Sequence, residues 1–176
     1  WSSDVCSSDL SYQRAQALVL LYDMVERLNN NRLTGSCFAI TTNTTSGSPY
    51  FGDPASPVTP TCAADTAANN AMAVAAMTAW DDLLKGSAEK KGAAATSVGA
   101  MIGARGCISY NTNTEYVNAT TGVNIAGTGE YTIAVSWQGM ADTFTPTGTC
   151  GVGLYGSETK RRTVWTTMRI GTLRAQ

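Results

Sequence analysis

Residues 11–32 read SYQRAQALVLLYDMVERLNNNR, and this stretch decides the fold. Ala15, Leu18, Leu21 with Tyr22, Val25 and Leu28 recur at three- and four-residue steps, the spacing that lines one face of an α-helix. Gln13, Arg14, Asp23, Glu26, Arg27 and Asn30 fall mostly on the other side. Helix formers dominate, neither Gly nor Pro interrupts, and Asn29-Asn30-Asn31 ahead of Gly35 supplies the stop. At this length the helix runs roughly 30 Å, enough to cross a small domain. Its face around Leu18, Tyr22, Val25 and Leu28 is expected to pack on a sheet. It starts abruptly at Ser11 and is expected to continue upstream in the native protein.

Upstream, residues 1–10 read WSSDVCSSDL, a near-tandem SSD repeat with no hydrophobic period. The string resembles translated sequencing adapter or linker, so it is set aside from fold reasoning together with Cys6. A single domain over 11–176 remains.

Downstream, 33–106 is expected to hold a loop and a second helix. Thr41 to Thr61 is rich in Thr, Asn, Ser and Gly, with Pro49, Pro54, Pro57 and Pro60, and reads as an irregular surface loop. Asp65 to Lys85 reads as a helix with Met72, Ala76, Ala79, Trp80, Leu83 and Leu84 on one side and Gly86 ending it. Ser87 to Gly106 is ambiguous. Over 107–176 the period changes to two. Tyr131, Ile133, Val135 and Trp137 point one way, and Val164, Thr166, Met168 and Ile170 repeat the pattern. Cys107 to Tyr110 and Tyr116-Val117 read as shorter strands. Helices followed by strands with hairpin-sized loops predict an α+β fold with an antiparallel sheet.

Composition narrows the function. Of 176 residues only 14% are charged, against about 25% in a typical soluble domain. Twelve Lys and Arg face thirteen Asp and Glu, a net charge of -1, so no global field attracts DNA or an anionic membrane. Histidine is absent, which excludes every His-based triad, dyad, metal site and proton relay. No run of 18 apolar residues occurs in the sequence as given.

Several motifs tempt and fail. Gly151 to Gly156 matches G-x-G-x-x-G, but a Thr/Pro loop precedes it and a β-patterned segment follows, so it reads as a turn. Ser157 to Lys160 and Ser87 to Lys90 match S-x-x-K without the companion elements that acyl transfer requires. Asp81-Asp82 beside Trp80 point about 100° apart on a helix and cannot converge on one bond, so they read as an exposed acidic turn. Asn43-Thr44-Thr45 and Asn118-Ala119-Thr120 are glycosylation sequons by pattern only. Lys160, Arg161, Arg162, Arg169 and Arg174 make the C-terminal segment basic. Lys160, Arg162 and Arg169 could form a contact strand for nucleic acid, although a basic run more often protects an edge strand. No catalytic residue, metal ligand or cofactor site is expected, and no enzymatic activity.

Cys37, Cys62, Cys107 and Cys150 lack zinc spacing and read as two disulfides, which place the chain outside a reducing cytoplasm. Three connectivities are open. Cys37–Cys62 with Cys107–Cys150 is favoured because each bridge ties off a long loop beside a regular element.

Two segments carry a family resemblance. Arg14 to Arg32 is similar to the first helix of the PilV family of minor type IV pilins, just past the membrane segment. Gly153-Leu-Tyr-Gly-Ser-Glu-Thr-Lys-Arg-Arg162, followed by Val164 to Leu173, resembles that family's closing loop and strand. Gly103-Ala-Arg-Gly-Cys-Ile108, the Val135-Ser-Trp137 strand and the four cysteines also fit, so the likeness spans Ser11 to Gln176. The leader-peptidase site and the apolar half of the first helix are missing, and Ala76 and Met77 occupy the turn before Trp80 where an Asp is expected. The resemblance implies a pilin-like fold: a long helix packed on an antiparallel sheet, a second helix in the connecting region and a disulfide-tied C-terminal region. It implies a subunit anchored in the bacterial inner membrane facing the periplasm through a missing N-terminal helix, and later part of an extracellular pilus. Its partners would be other minor pilins, major pilin subunits and a PilY-type tip adhesin, and its role pilus priming, adhesion and twitching motility. Nucleic acid is not an expected partner. A type II secretion minor pseudopilin is the nearest alternative. A secreted ligand- or DNA-binding module using the basic strand is the alternative from another class.

Overall fold

The computed structural model of the chain describes residues 2–88, 90–91, 96–97 and 101–171, with side chains over 11–88 and 101–171. Helix α1 spans Ser2–Asn30 and passes at Arg32–Phe38 into a tight 3-10 segment. Helix α2 spans Ala67–Leu84. A two-residue ladder, β1 (Lys90–Lys91) with β2 (Thr96–Ser97), precedes three long strands, β3 (Arg105–Asn111), β4 (Glu130–Gln138) and β5 (Arg161–Arg169). The long strands form one antiparallel sheet in the order β3-β4-β5, with Ile108 opposite Ile133 and Val135 opposite Val164. The fold is α+β.

α1 continues through residues 2–10, the stretch set aside above. Extending an established helix by one residue costs little compared with nucleating it, so a polar Ser/Asp segment can follow the strong helix that adjoins it. At the other end the helix stops at Asn30, where Asn31 Nδ2 donates to Arg27 O at 2.8 Å. In α2, Thr66 caps the first turn by accepting from Asn69 N at 3.3 Å.

One sheet face and both helices share the core. Tyr131, Ile133, Val135 and Trp137 enter it from β4, as their alternation predicts, with Ile108, Val164 and Ile170 beside them. From α1 the buried stripe is Ala17, Leu21, Met24 and Leu28. This corrects the expected face. Leu28 is buried, and Leu18 and Val25 are partly buried at its flank, but Tyr22 is 60% exposed. α2 shows a similar turn: Ala73, Met77, Trp80 and Leu84 are buried, while Met72 lies outside. Both helices are apolar around more than one face, so their partners choose the stripe. Each packs against both the sheet and the other helix, and its buried stripe is turned by somewhat less than one residue step of about 100°. Trp80 fixes the junction by donating Nε1–H to Leu20 O at 2.9 Å, with its ring edge-on to Phe51 at 5.6 Å. Trp137 ties β4 to α1 through Gln13 Oε1 at 3.1 Å.

The disulfides are Cys37–Cys62 and Cys107–Cys150, the favoured pairing. The first ties the 3-10 segment to the approach of α2, and the second ties β3 to the loop before β5. The 41–61 stretch is less free than its composition predicts. Thr41 N donates to Ile108 O at 2.9 Å, and Phe51 bridges Gly106 in both directions and is fully buried. A run of Thr and Pro does not reveal that one aromatic within it plugs the core. Tyr116-Val117 forms no strand, only a single bridge from Val117 to Asn124.

Candidate functional site

Two surfaces stand out, on opposite sides of the molecule. The first belongs to α1. Tyr12, Ala15, Val19 and Tyr22 recur at steps of three and four and are exposed, Val19 to 68%. At 100° per residue this stripe points roughly opposite to the buried one, so α1 is apolar on two faces. Tyr12, Ala15 and Val19 run along a groove of about 420 Å³ that Leu83, Ala88 and Met101 close on the far side. The spacing of these residues is plain in the sequence. What it does not tell is which of two apolar faces turns inward.

The second surface is the outer face of the sheet. Side chains alternate across a strand, so the neighbours of the core residues point the other way. Cys107, Ala134 and Trp165 form one cross-strand row there; Ser109, Thr132 and Thr167 form the next. The loop before β5 folds over part of this face. Its anchor is Arg161, which is 2% exposed. The Arg161 guanidinium donates to the carbonyls of Gly148 (2.5 Å), Cys150 (3.2 Å) and Pro146 (3.1 Å), and its Nε to Glu158 at 2.7 Å. Tyr155 completes the cover by donating to Gly103 O at 2.9 Å, with its hydroxyl 3.0 Å from Ser136 Oγ. Burial pushes the Tyr155 phenol up to about 12, against opposing hydrogen bonding from Ser136 and the charges of Arg105 and Arg161. Glu158 is held below the usual carboxylate range, first by the Gly153 N–H and then by Arg161. The G-x-G-x-x-G string is a turn, as read. Gly151 has φ +71°, and a Cβ there would meet Ser136 Oγ at 2.3 Å, so only glycine fits beneath Tyr155.

The candidate basic contact strand does not assemble. Lys160 ends a 3-10 turn (Glu158–Lys160) outside β5, while Arg162 and Arg169, an odd number of residues apart, point to opposite sheet faces. Arg162 donates to Thr159 O at 2.8 Å and to Ala141 O. Arg169 donates to Thr114 O and Thr128 O and lies 5.1 Å over the Tyr116 ring. Arg174 lies outside the described residues, as do Glu89 of the second S-x-x-K string and the end of the Val164 to Leu173 segment.

Asp81 and Asp82 are not an exposed pair either. Asp82 is exposed, but Asp81 is only 5% exposed; it accepts from Gly52 N at 2.7 Å and pairs with Lys85 at 2.5 Å. It anchors the loop that carries Phe51. Lys85 four residues on was the available signal for that pair. Ser157 caps the turn that ends at Lys160, and the Asn of each sequon accepts from backbone amides two and three residues ahead, holding a local turn. Among the described residues no group of three His, Cys, Asp or Glu is placed to hold a metal ion, and no helix is long and apolar enough to cross a membrane.

Comparison of the chain with protein-family models, with curated proteins and with solved structures finds no match in any of the three.

Proposed function

We propose that this chain is the periplasmic part of a minor type IV pilin, a subunit that helps prime pilus assembly and joins a minor-pilin complex in adhesion and twitching motility. The observation that carries the reading is the second apolar stripe of α1. A helix that only closed its own domain would need one stripe; this one keeps Tyr12, Ala15, Val19 and Tyr22 outside as well. Such a two-faced helix suits a subunit that packs one face on its own sheet and the other against helices of its neighbours. The resemblance of residues 14–32 and 153–173 to PilV-type subunits supports the same reading. So do the two disulfides, which belong to an oxidising compartment such as the periplasm or the cell exterior. The separation of Lys160, Arg162 and Arg169 weighs against the nucleic-acid alternative, which needs a continuous basic track.

The test is incorporation into pili. The gene is first completed by sequencing upstream of the Ser11 codon, where the reading expects a type IV leader-peptidase site and about 20 apolar residues. Val19→Glu with Tyr22→Glu should then remove the subunit from sheared surface filaments while leaving the thermal midpoint of the purified domain unchanged. An ordinary cleavable signal peptide upstream, or filaments that still contain the doubly substituted subunit, would sink the proposal.

A further inference from the structure

We propose that the outer face of the sheet carries a binding groove for a neutral saccharide, with the Trp165 indole as its stacking platform. The groove is about 300 Å³, at the lower end of the roughly 300–1,000 Å³ typical of small-ligand sites. Its floor is Ala134 and the Cys107–Cys150 disulfide, and its walls come from the 41–47 and 147–150 loops. Those loops are locked together: Gly47 has φ +64°, and a Cβ there would lie 2.3 Å from Thr149 O. The site is therefore formed before any ligand arrives, which lowers the entropy cost of binding.

Three features select the ligand's chemistry. No residue lining the groove is charged, so nothing neutralises a phosphate, a carboxylate or a cation. Trp165 is 58% exposed, and its cross-strand neighbour is Ala134, too small to cover the ring. No aromatic ring or cation among the described residues stacks on it. The side-chain hydroxyls of Thr44, Ser109, Thr132, Thr147 and Thr149 make no hydrogen bond among the described residues. Each hydroxyl can both donate and accept, which matches the hydroxyls around a sugar ring, while the C–H face of that ring suits the indole. An apolar partner would strip water from all five hydroxyls without replacing it. The groove lies on the sheet face turned away from α1, so this inference stands apart from the assembly reading.

The experiment is a titration of the full 176-residue chain with maltotriose, cellotriose and N,N′,N″-triacetylchitotriose, followed through the indole N–H signals in NMR and through heat. Trp165→Phe assigns the Trp165 signal. At least one sugar should shift that signal saturably below about 10 mM and leave the Trp80 and Trp137 signals in place. Trp165→Ala should weaken binding at least about tenfold, and Thr132→Val several-fold, with both variants keeping the wild-type spectrum elsewhere. No shift with any of the three sugars overturns the proposal. So does binding heat that survives Trp165→Ala undiminished, or a shift of the Trp165 signal that tracks protein concentration without sugar and marks a second copy in the groove.

Discussion

Gly106 of β3 lies directly under the indole of Trp80: a Cβ at position 106 would fall 2.2 Å from Trp80 Cη2 and 2.6 Å from Leu84 Cδ1. The indole cannot swing aside without losing its bond to Leu20 O and its contact with Phe51. Gly106→Ala is therefore expected to destabilise the domain by about 1–3 kcal/mol through overpacking. Urea unfolding followed by tryptophan fluorescence measures it, and a loss within experimental error of zero would show that α2 slides freely over β3.

Asp81 supports the same region from the other side. Its carboxylate both receives the Gly52 amide and pairs with Lys85. Asp81→Ala should cost about 2–3 kcal/mol, because the buried Gly52 N–H loses its partner. Asp81→Asn keeps an oxygen at the Gly52 amide and should cost clearly less, and Lys85→Ala about 1 kcal/mol or less, since Lys85 reaches solvent. Equal losses for all three would place the stabilisation in the ion pair instead of the amide.

How much of this was legible follows from what each pattern encodes. The strands were plain because a period of two leaves one choice of face once a side is apolar, and Tyr131 to Trp137 obeyed it. The helices were plain as helices but not in rotation. Ala17 and Met24 turn inward and Tyr22 outward, a choice that a sequence with apolar residues on two opposite faces does not encode. Charged residues are normally solvated, and nothing adjacent to Arg161 or Asp81 in sequence marks them as buried. Their burial depends on carbonyls and amides of distant loops, Gly148 and Gly52 among them, which no local window contains. Trp165 lies in the phase opposite Val164 and Thr166, and only its register against Ala134 opens space beside it.

The tyrosines give a pH signature. Burial, followed by the proximity of Tyr110 and Glu115, pushes Tyr131 up to about 12, and burial does the same for Tyr155. An unfolded tyrosine titrates near 10. A folded pKa above the unfolded one means the native state holds its proton longer. The stabilisation is complete below about pH 10 and is lost as pH rises through about 12. Ultraviolet difference titration should show a late tyrosine population that Tyr131→Phe and Tyr155→Phe each reduce, with alkaline unfolding in the same window. Seven tyrosines that all titrate together near 10 would contradict the burial of these two.

The disulfides differ in the loops they close. Cys37 and Cys62 are 25 residues apart, Cys107 and Cys150 are 43 apart. In the chain-entropy model the two bridges contribute about 3.5 and 4 kcal/mol respectively. Peptide mapping without reductant should recover both linked pairs. The double Ser variant at 107 and 150 should lose more stability than the one at 37 and 62, and should also free the loop over the outer sheet face. The reverse order would mean that native packing around Cys37, not loop closure, sets the scale.

Arg161 tests whether that loop is held by charge or by shape. Its fork reaches three carbonyls, those of Pro146, Gly148 and Cys150, and Glu158 braces it from the fourth side. Lysine carries the charge but not the planar fork, so Arg161→Lys can satisfy only part of this set. Arg161→Met fills the volume and satisfies none. Hydrogen exchange across 146–158 should therefore rise in both variants, more in Arg161→Met, with a global loss of about 2–4 kcal/mol in the latter from carbonyls left without donors. The amides of β4 should stay protected, because their partners are in β3 and β5. Exchange that rises equally through β4 would mean that the loop and the sheet unfold as one unit, and that Arg161 holds the sheet itself.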